Sequence, residues 1–563
     1  MNRRRFLKST VAAPALTLAA CGYTREEEEL FLSRCEFTSE RTGPLVVDMH
    51  CHLLNALDAD YAAFVDRRFL RSGSVLLPGL LRRIRARIDS DTVSARREAN
   101  LLLKRMREPA APEDQFCRQG LPSDLDILVT NDGLESTPDS TLGDGRFTGF
   151  FTSRTRNAAI LLTQFQQVDL FVPAIVDFYE GDTLSYPEPD EQMQYYSALA
   201  FASKGRFLPM VSFHPERYAI EQMDLHAFTN LDLVRASIEN AGAVGVKVHP
   251  SAGFDPLSNL EYAALSGRVN GMECGEYRET DFNRALHRLM DEGMQRLYAL
   301  CDELDVPILT HGAPSLAANP DCMMEDDDPN NWTNSTSHWI EAVRRNPEVN
   351  PRVAFAHLAG GPGSIEGLAA HAGEEGHNHG SYFDARTDDG YRPSPWLQTA
   401  LNALGSDKGD IWLDASVQNE IAYSRAALEN KNAGLPLWSS TLRGQDLFDE
   451  ATKDMGRLAN WFGSLFEDYP ALRRRMMYGS DLHMPSVGLV SGGDAYLKLI
   501  QSSLPETGDT RERVMGLNAA EFLGLKRGRQ TRTRLERFFS RVGVPLEEIP
   551  WVKKVDEAEA RIV

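Results

Sequence analysis

The chain has 563 residues, 42% of them hydrophobic and 25% charged, with 60 Lys and Arg against 81 Asp and Glu for a formal charge of −21. That acidic balance excludes a nucleic-acid surface, whose phosphates need a basic face, and a mean hydropathy of −0.35 excludes a polytopic membrane protein. The length suits either about three or four domains of roughly 150 residues or a single enlarged α/β barrel.

Residues 1–20, MNRRRFLKSTVAAPALTLAA, join a basic start to a short apolar run and small residues before Cys21. Arg3, Arg4, Phe6, Leu7 and Lys8 resemble the twin-arginine export motif. Leu18-Ala19-Ala20-Cys21-Gly22 resembles a bacterial lipobox, which implies lipidation of Cys21 and a place on the periplasmic side of the envelope. Val11–Ala20 is far shorter than the roughly 20 residues that span a bilayer, so the expected membrane attachment is through that lipid alone. Loss of residues 1–20 removes Arg3, Arg4, Arg5 and Lys8 and takes the formal charge from −21 to −25. The remaining cysteines, at 35, 51, 117, 274, 301 and 322, form no CxxC pair, which excludes zinc-ribbon and thioredoxin-type sites.

Eight apolar, β-branched runs then follow in order: Leu45–Leu54, Val168–Asp177, Phe207–Pro215, Ala243–Pro250, Val306–Gly312, Arg352–Gly360, Asp410–Val417 and Met476–Leu482. Each interval is long enough for a parallel crossover, and Asn157–Phe165 and Leu231–Ala241 carry helical periodicity. The pattern predicts an α/β fold, a closed (β/α)8 barrel over residues 45–525. Residues 21–44 read as a linker, about 55–157 as an insertion over the barrel mouth, with a basic helical stretch Arg67–Arg107 and a polar loop Thr130–Gly149. Residues 526–563 read as a helical extension whose Phe538 and Phe539 pack back on the barrel.

His50, His52, His214, His249, His311, His357 and Asp481 all fall in the last residues of their runs, the rim where barrel active sites are built. His50 and His52 are two apart on one strand and so face the same side. With His311, His357 and Asp481 they make an imidazole and carboxylate set suited to a catalytic zinc with an open position. His214, His249 and His483 read as hydrogen-bonded rim residues. Asp48 reads equally as a ligand-orienting group or as a partner for a basic neighbour. The segment His371–His379 reads as a solvated loop, and Arg386 and Arg392 as surface charge.

The ordered set VVDMHCH, VGVKVHP, ILTHGAP, FAHLAGG and YGSD, closed by Leu517–Leu525, resembles the amidohydrolase superfamily. The branch it is most similar to is the amidohydrolase-2 type, which includes aminocarboxymuconate-semialdehyde decarboxylase. The resemblance implies one divalent metal held by His50, His52, His311 and Asp481, with His357 as a catalytic histidine beside it. It also implies a second metal if Lys247 is carboxylated as a bridge, with His249 on the same strand face. The implied function is hydrolysis of an amide, lactone or ester bond of a small molecule by a metal-activated water, with Asp481 moving the proton. The alternatives are a metal-dependent decarboxylase or C–C lyase of an unsaturated or aromatic acid, and a non-catalytic metal-binding envelope lipoprotein. The motifs leave substrate and oligomeric state open.

Overall fold

The computed structural model describes residues 43–58, 92–107, 153–165, 167–175, 177, 189–223, 230–250, 254–261, 280–312, 335–361, 393–405, 409–416, 455–481, 493–506 and 508–562. Within them each apolar run supplies a strand, shorter than the run itself. These are β1 Val47–Cys51, β2 Leu170–Pro173, β3 Met210–Phe213, β4 Gly245–Val248, β5 Ile308–Thr310, β6 Arg352–Phe355, β7 Asp410–Asp414 and β8 Met476–Met477. Between them lie α1 Ala95–Arg107, α2 Arg154–Gln164, α3 Pro189–Ala202, α4 Pro215–Gln222, α5 Asn230–Asn240, α6 Asp281–Glu303, α7 Thr336–Arg345, α8 Pro395–Ala403 and α9 Met455–Asp468, and α10 Gly493–Ser503 follows β8. The leader with Cys21, residues 67–91 of the basic stretch, the loop Thr130–Gly149, His371–His379, Arg386, Arg392 and His483 fall outside the described residues.

Among the described residues every strand pairing is parallel. β1 pairs with β2, and β3 to β8 form a sheet in chain order. Hydrogen bonds cross both seams between these sheets. Phe171 N–H donates to Arg206 O at 2.8 Å and Leu208 N–H to Phe171 O at 3.0 Å, while Met49 N–H donates to Tyr478 O at 3.0 Å. One strand face, with Val47, Met49, Leu309, Ala354 and Trp412, forms an apolar cluster; the other, with Phe171, Val246, Ile308 and Val353, packs under the helices.

β1 departs from simple alternation. Asp48 pairs with Phe171 and Cys51 with Pro173, three residues against two, so one extra residue is bulged out. Ahead of the bulge Val47 and Met49 join the first cluster; beyond it His50 and His52 share a side and Cys51 turns to the helix-packed layer. The sixth run departs as well: His357, Leu358 and Ala359 hold φ values of 57°, 49° and 49°, so the chain leaves β6 in a left-handed turn instead of extending to Gly360.

The C-terminal extension supplies α11 Gln530–Ser540 and α12 Pro550–Ile562. Phe538 stacks on Phe201 with ring centres 4.2 Å apart, Trp551 Nε1–H donates to Gly205 O at 2.9 Å, and Lys554 Nζ lies 2.8 Å from Asp169. Gly205 and Asp169 precede β3 and β2, so the extension covers the N-terminal strand ends and leaves the histidine-bearing ends to the site.

After β1, Arg154 is wholly buried at the start of α2 and holds Asp58 at 2.5 and 2.7 Å and Glu98 of α1 at 2.8 Å. Removing one partner of such a cluster leaves uncompensated buried charge. Arg154→Met is expected to lower the free energy of unfolding by about 3–5 kcal/mol, measured by urea denaturation. A second ion pair, His338 Nδ1 to Asp255 Oδ2 at 2.5 Å, ties α7 to the segment after β4. Burial opposes charging His338, but the hydrogen bond and charge of Asp255 prevail and raise its pKa above 6.5. The stability it adds is complete below the unfolded value and lost as pH rises through the folded one. The difference in melting temperature between the parent and His338→Gln is therefore expected to shrink from about pH 6 to about pH 8.

Candidate metal centre

His50 of β1 and His52, just beyond its end, converge. His50 Nε2 and His52 Nε2 stand 3.0 Å apart, and Asp481 Oδ1 lies 3.1 Å from His52 Nε2 and 3.5 Å from His50 Nε2. The opposite ring nitrogens determine the tautomers. His52 Nδ1 is 2.9 Å from the carbonyl oxygen of Ala174, and a carbonyl only accepts, so Nδ1 carries the proton and Nε2 a lone pair. His50 Nδ1 is 2.9 Å from Asp414 Oδ2, which again leaves the lone pair on Nε2. Two imidazole lone pairs and a carboxylate oxygen thus face one point among buried groups. Such a set repels itself unless a cation shares it, and it is the donor chemistry of a divalent metal site with ligating histidines oriented by outer hydrogen bonds.

His357 joins this set: donor atoms of His50, His357 and Asp481 all lie within 4.8 Å of one another. The left-handed turn after β6 carries it there, its own N–H donating to Ser416 Oγ at 3.2 Å. Left-handed backbone costs a non-glycine residue roughly 1–2 kcal/mol, and Asp481, with φ 48°, bears it too. Lys204 and Asp305 are left-handed as well, away from this cluster, so the strain is not confined to it. His311 Nδ1 lies 3.1 Å from His357 Nε2, and the His249 ring is centred 4.7 Å from that of His311. Lys247, 1% exposed on β4, brings Nζ to 3.2 Å from His50 Nε2. Thus His50, His52, His357, Asp481 and Lys247 come together directly, with His311 and then His249 in series beyond His357. His214 lies apart, its side chain accepting the Glu216 N–H to cap α4. Cys51 and Cys301 are free thiols buried in the core.

Burial governs the electrostatics. It lowers the pKa values of His50 and His357 well below 6.5 and that of Lys247 to about 8, the last partly offset by Asp481 and Asp414. It raises Asp414 to about 6 and Asp48 to about 7. Burial favours neutral imidazoles, the form that binds metal.

Asp414 and Ser416 carry the site without standing out in the sequence. Asp414 ends β7 and Ser416 follows two residues later; Asp414 orients His50, and Ser416 Oγ lies 3.1 Å from His50 Nδ1 and 3.2 Å from His357 Nδ1. The signal available was the polar pair 414/416 interrupting the apolar run DIWLDASV.

No family model matches the chain, and no curated protein matches it. Solved structures similar to it include an amidohydrolase from Burkholderia multivorans, 9% identical over 67% of this chain and 91% of that one, with a TM-score of 0.35. A 5-carboxyvanillate decarboxylase from Sphingomonas paucimobilis is 10% identical over 85% of this chain and 99% of that one, with a TM-score of 0.33. The corresponding enzyme of Novosphingobium aromaticivorans, a variant with bound manganese, is 10% identical over 86% and 99%, with a TM-score of 0.35. Likeness at this level fixes no reaction and no ligand.

Gly479 lies against the site from the β8 side: a Cβ there would stand 2.9 Å from His50 Cβ and 3.1 Å from Asp414 Oδ1. Gly479→Ala is therefore expected to displace His50 and weaken Zn2+ binding roughly 10- to 100-fold without loss of secondary structure, read by competition with a chromophoric chelator and by circular dichroism.

Proposed function

We propose that the protein is a metal-dependent hydrolase of a small molecule, built on a closed (β/α)8 barrel. One divalent ion, zinc in keeping with an imidazole and carboxylate donor set, is held by His50, His52 and Asp481. The observation that carries this reading is the convergence of their donor atoms at 3.0–3.5 Å with both Nε2 lone pairs turned inward. The barrel reading draws on the hydrogen bonds across both sheet seams, and on a site at the C-terminal ends of the strands.

A divalent ion held by these residues would supply Lewis acidity toward a substrate carbonyl and toward water. Asp481 takes the proton of the attacking water and returns it to the leaving nitrogen or oxygen. His357, aimed by its left-handed backbone and by Ser416, hydrogen-bonds the oxygen on which charge develops, and His311, 3.1 Å behind it, fixes its ring. Lys247 remains an amine. The sequence at Cys21 adds an exported, lipid-tethered form of the same enzyme, tested by fractionating cells that express the parent and Cys21→Ser.

Metal analysis of the purified protein is expected to give one ion per chain. Two ions would make Lys247 a carboxylated bridge, and loss of the ion in His311→Ala would add that residue to the ligands. A panel of amides, lactones, esters and unsaturated or aromatic carboxylates then identifies the reaction, CO2 release from an acid replacing hydrolysis. On the substrate found, Asp481→Asn is expected nearly to abolish turnover with the metal largely retained; full activity with metal present overturns its assignment.

A further inference from the structure

Asp48 is wholly buried, ahead of the bulge in β1, and no step above uses it. Its carboxylate spans two ligand-bearing segments. Oδ1 accepts the backbone N–H of Ser480 at 2.9 Å and that of His50 at 3.3 Å; Oδ2 accepts the Ser480 hydroxyl at 2.7 Å. His50 O in turn accepts the N–H groups of Ser480 at 3.0 Å and Asp481 at 2.7 Å. The chain just after β8 is thereby held against β1 at the point where Asp481 takes its left-handed φ.

We infer that Asp48 is a positioning residue for the metal centre: it fixes the spacing between His50 and Asp481 by clamping Ser480. The inference rests on the metal reading above. Two features separate it from simple seam closure. Both carboxylate oxygens are engaged, and every partner is a ligand or the immediate neighbour of one. Met49 N–H to Tyr478 O at 3.0 Å joins the same seam without it. Loss of the clamp therefore alters how the two ligands meet the ion before it unpairs the strands.

The test uses Co2+ as the probe, added to the full-length protein stripped of metal, with affinity and the d–d absorption band as readouts and thermal melting as the control. Asp48→Ala is expected to weaken Co2+ binding roughly 10- to 100-fold and to shift the band. Ser480→Ala, which removes only the hydroxyl partner, is expected to shift the band in the same direction with a smaller loss of affinity and melting close to the parent. Asp48→Asn keeps an acceptor for both backbone N–H groups and donates to the Ser480 oxygen, so it is expected to fall between Asp48→Ala and the parent. If Asp48→Ala fails to fold, Ser480→Ala and Asp48→Asn decide the matter. Parent-like affinity and spectrum in the folded Asp48 and Ser480 variants, with binding lost in His50→Ala, would overturn the inference and leave the metal site standing. Parent-like Co2+ binding in both His50→Ala and His52→Ala would remove the metal reading and this inference with it.

Discussion

Three acceptor atoms facing one another across 3.0–3.5 Å in a buried space are the constraint around which the rest of this protein is arranged. In water such groups would separate; here each is held from behind. Asp414 orients His50, the Ala174 carbonyl orients His52, and the N–H of Asp481 is held by His50 O at 2.7 Å. Low dielectric strengthens these hydrogen bonds and raises the cost of the mutual repulsion together, so a cation that meets the lone pairs, as Lys247 Nζ does at 3.2 Å from His50 Nε2, stabilises the arrangement.

The backbone irregularities follow from the same constraint. A regular β1 would keep Cys51 in phase with Val47 and Met49, leaving the two imidazoles on the opposite face; the bulge between Asp48 and Cys51 reverses the phase and brings them back. The left-handed residues His357 and Asp481 likewise trade backbone energy for direction. Stability is supplied elsewhere, by two large apolar clusters, while the buried Arg154, Asp58 and Glu98 triad ties α1 and α2 to the chain after β1. The C-terminal helices bind the opposite strand ends, which separates the element that braces the sheet from the ends that carry chemistry.

Much of this was legible in order along the chain. The eight runs marked the strands, the intervals marked parallel crossovers, and the polar run ends located His50, His52, His311, His357 and Asp481, because strand periodicity and strand ends are written in neighbouring residues. The ranges came out too long where a run kept its apolar character past its last ladder hydrogen bond. Arg352–Gly360 is the clearest case, since nothing in AHLAGG except the terminal glycines signals that three non-glycine residues turn left-handed.

The sequence by itself determined the class of fold and, among the described residues, the order of the strands, and it placed the candidate histidines and Asp481 at the strand ends. Tertiary structure alone decided which nitrogen of each imidazole carries the lone pair, which strand carries the bulge, and which groups stand behind His50 and His52. The reason is distance along the chain: Asp414 meets His50 across 364 positions and Asp48 meets Ser480 across 432. Local propensity extends over a few residues, and pairings that remote exist only once the first and last strands lie side by side.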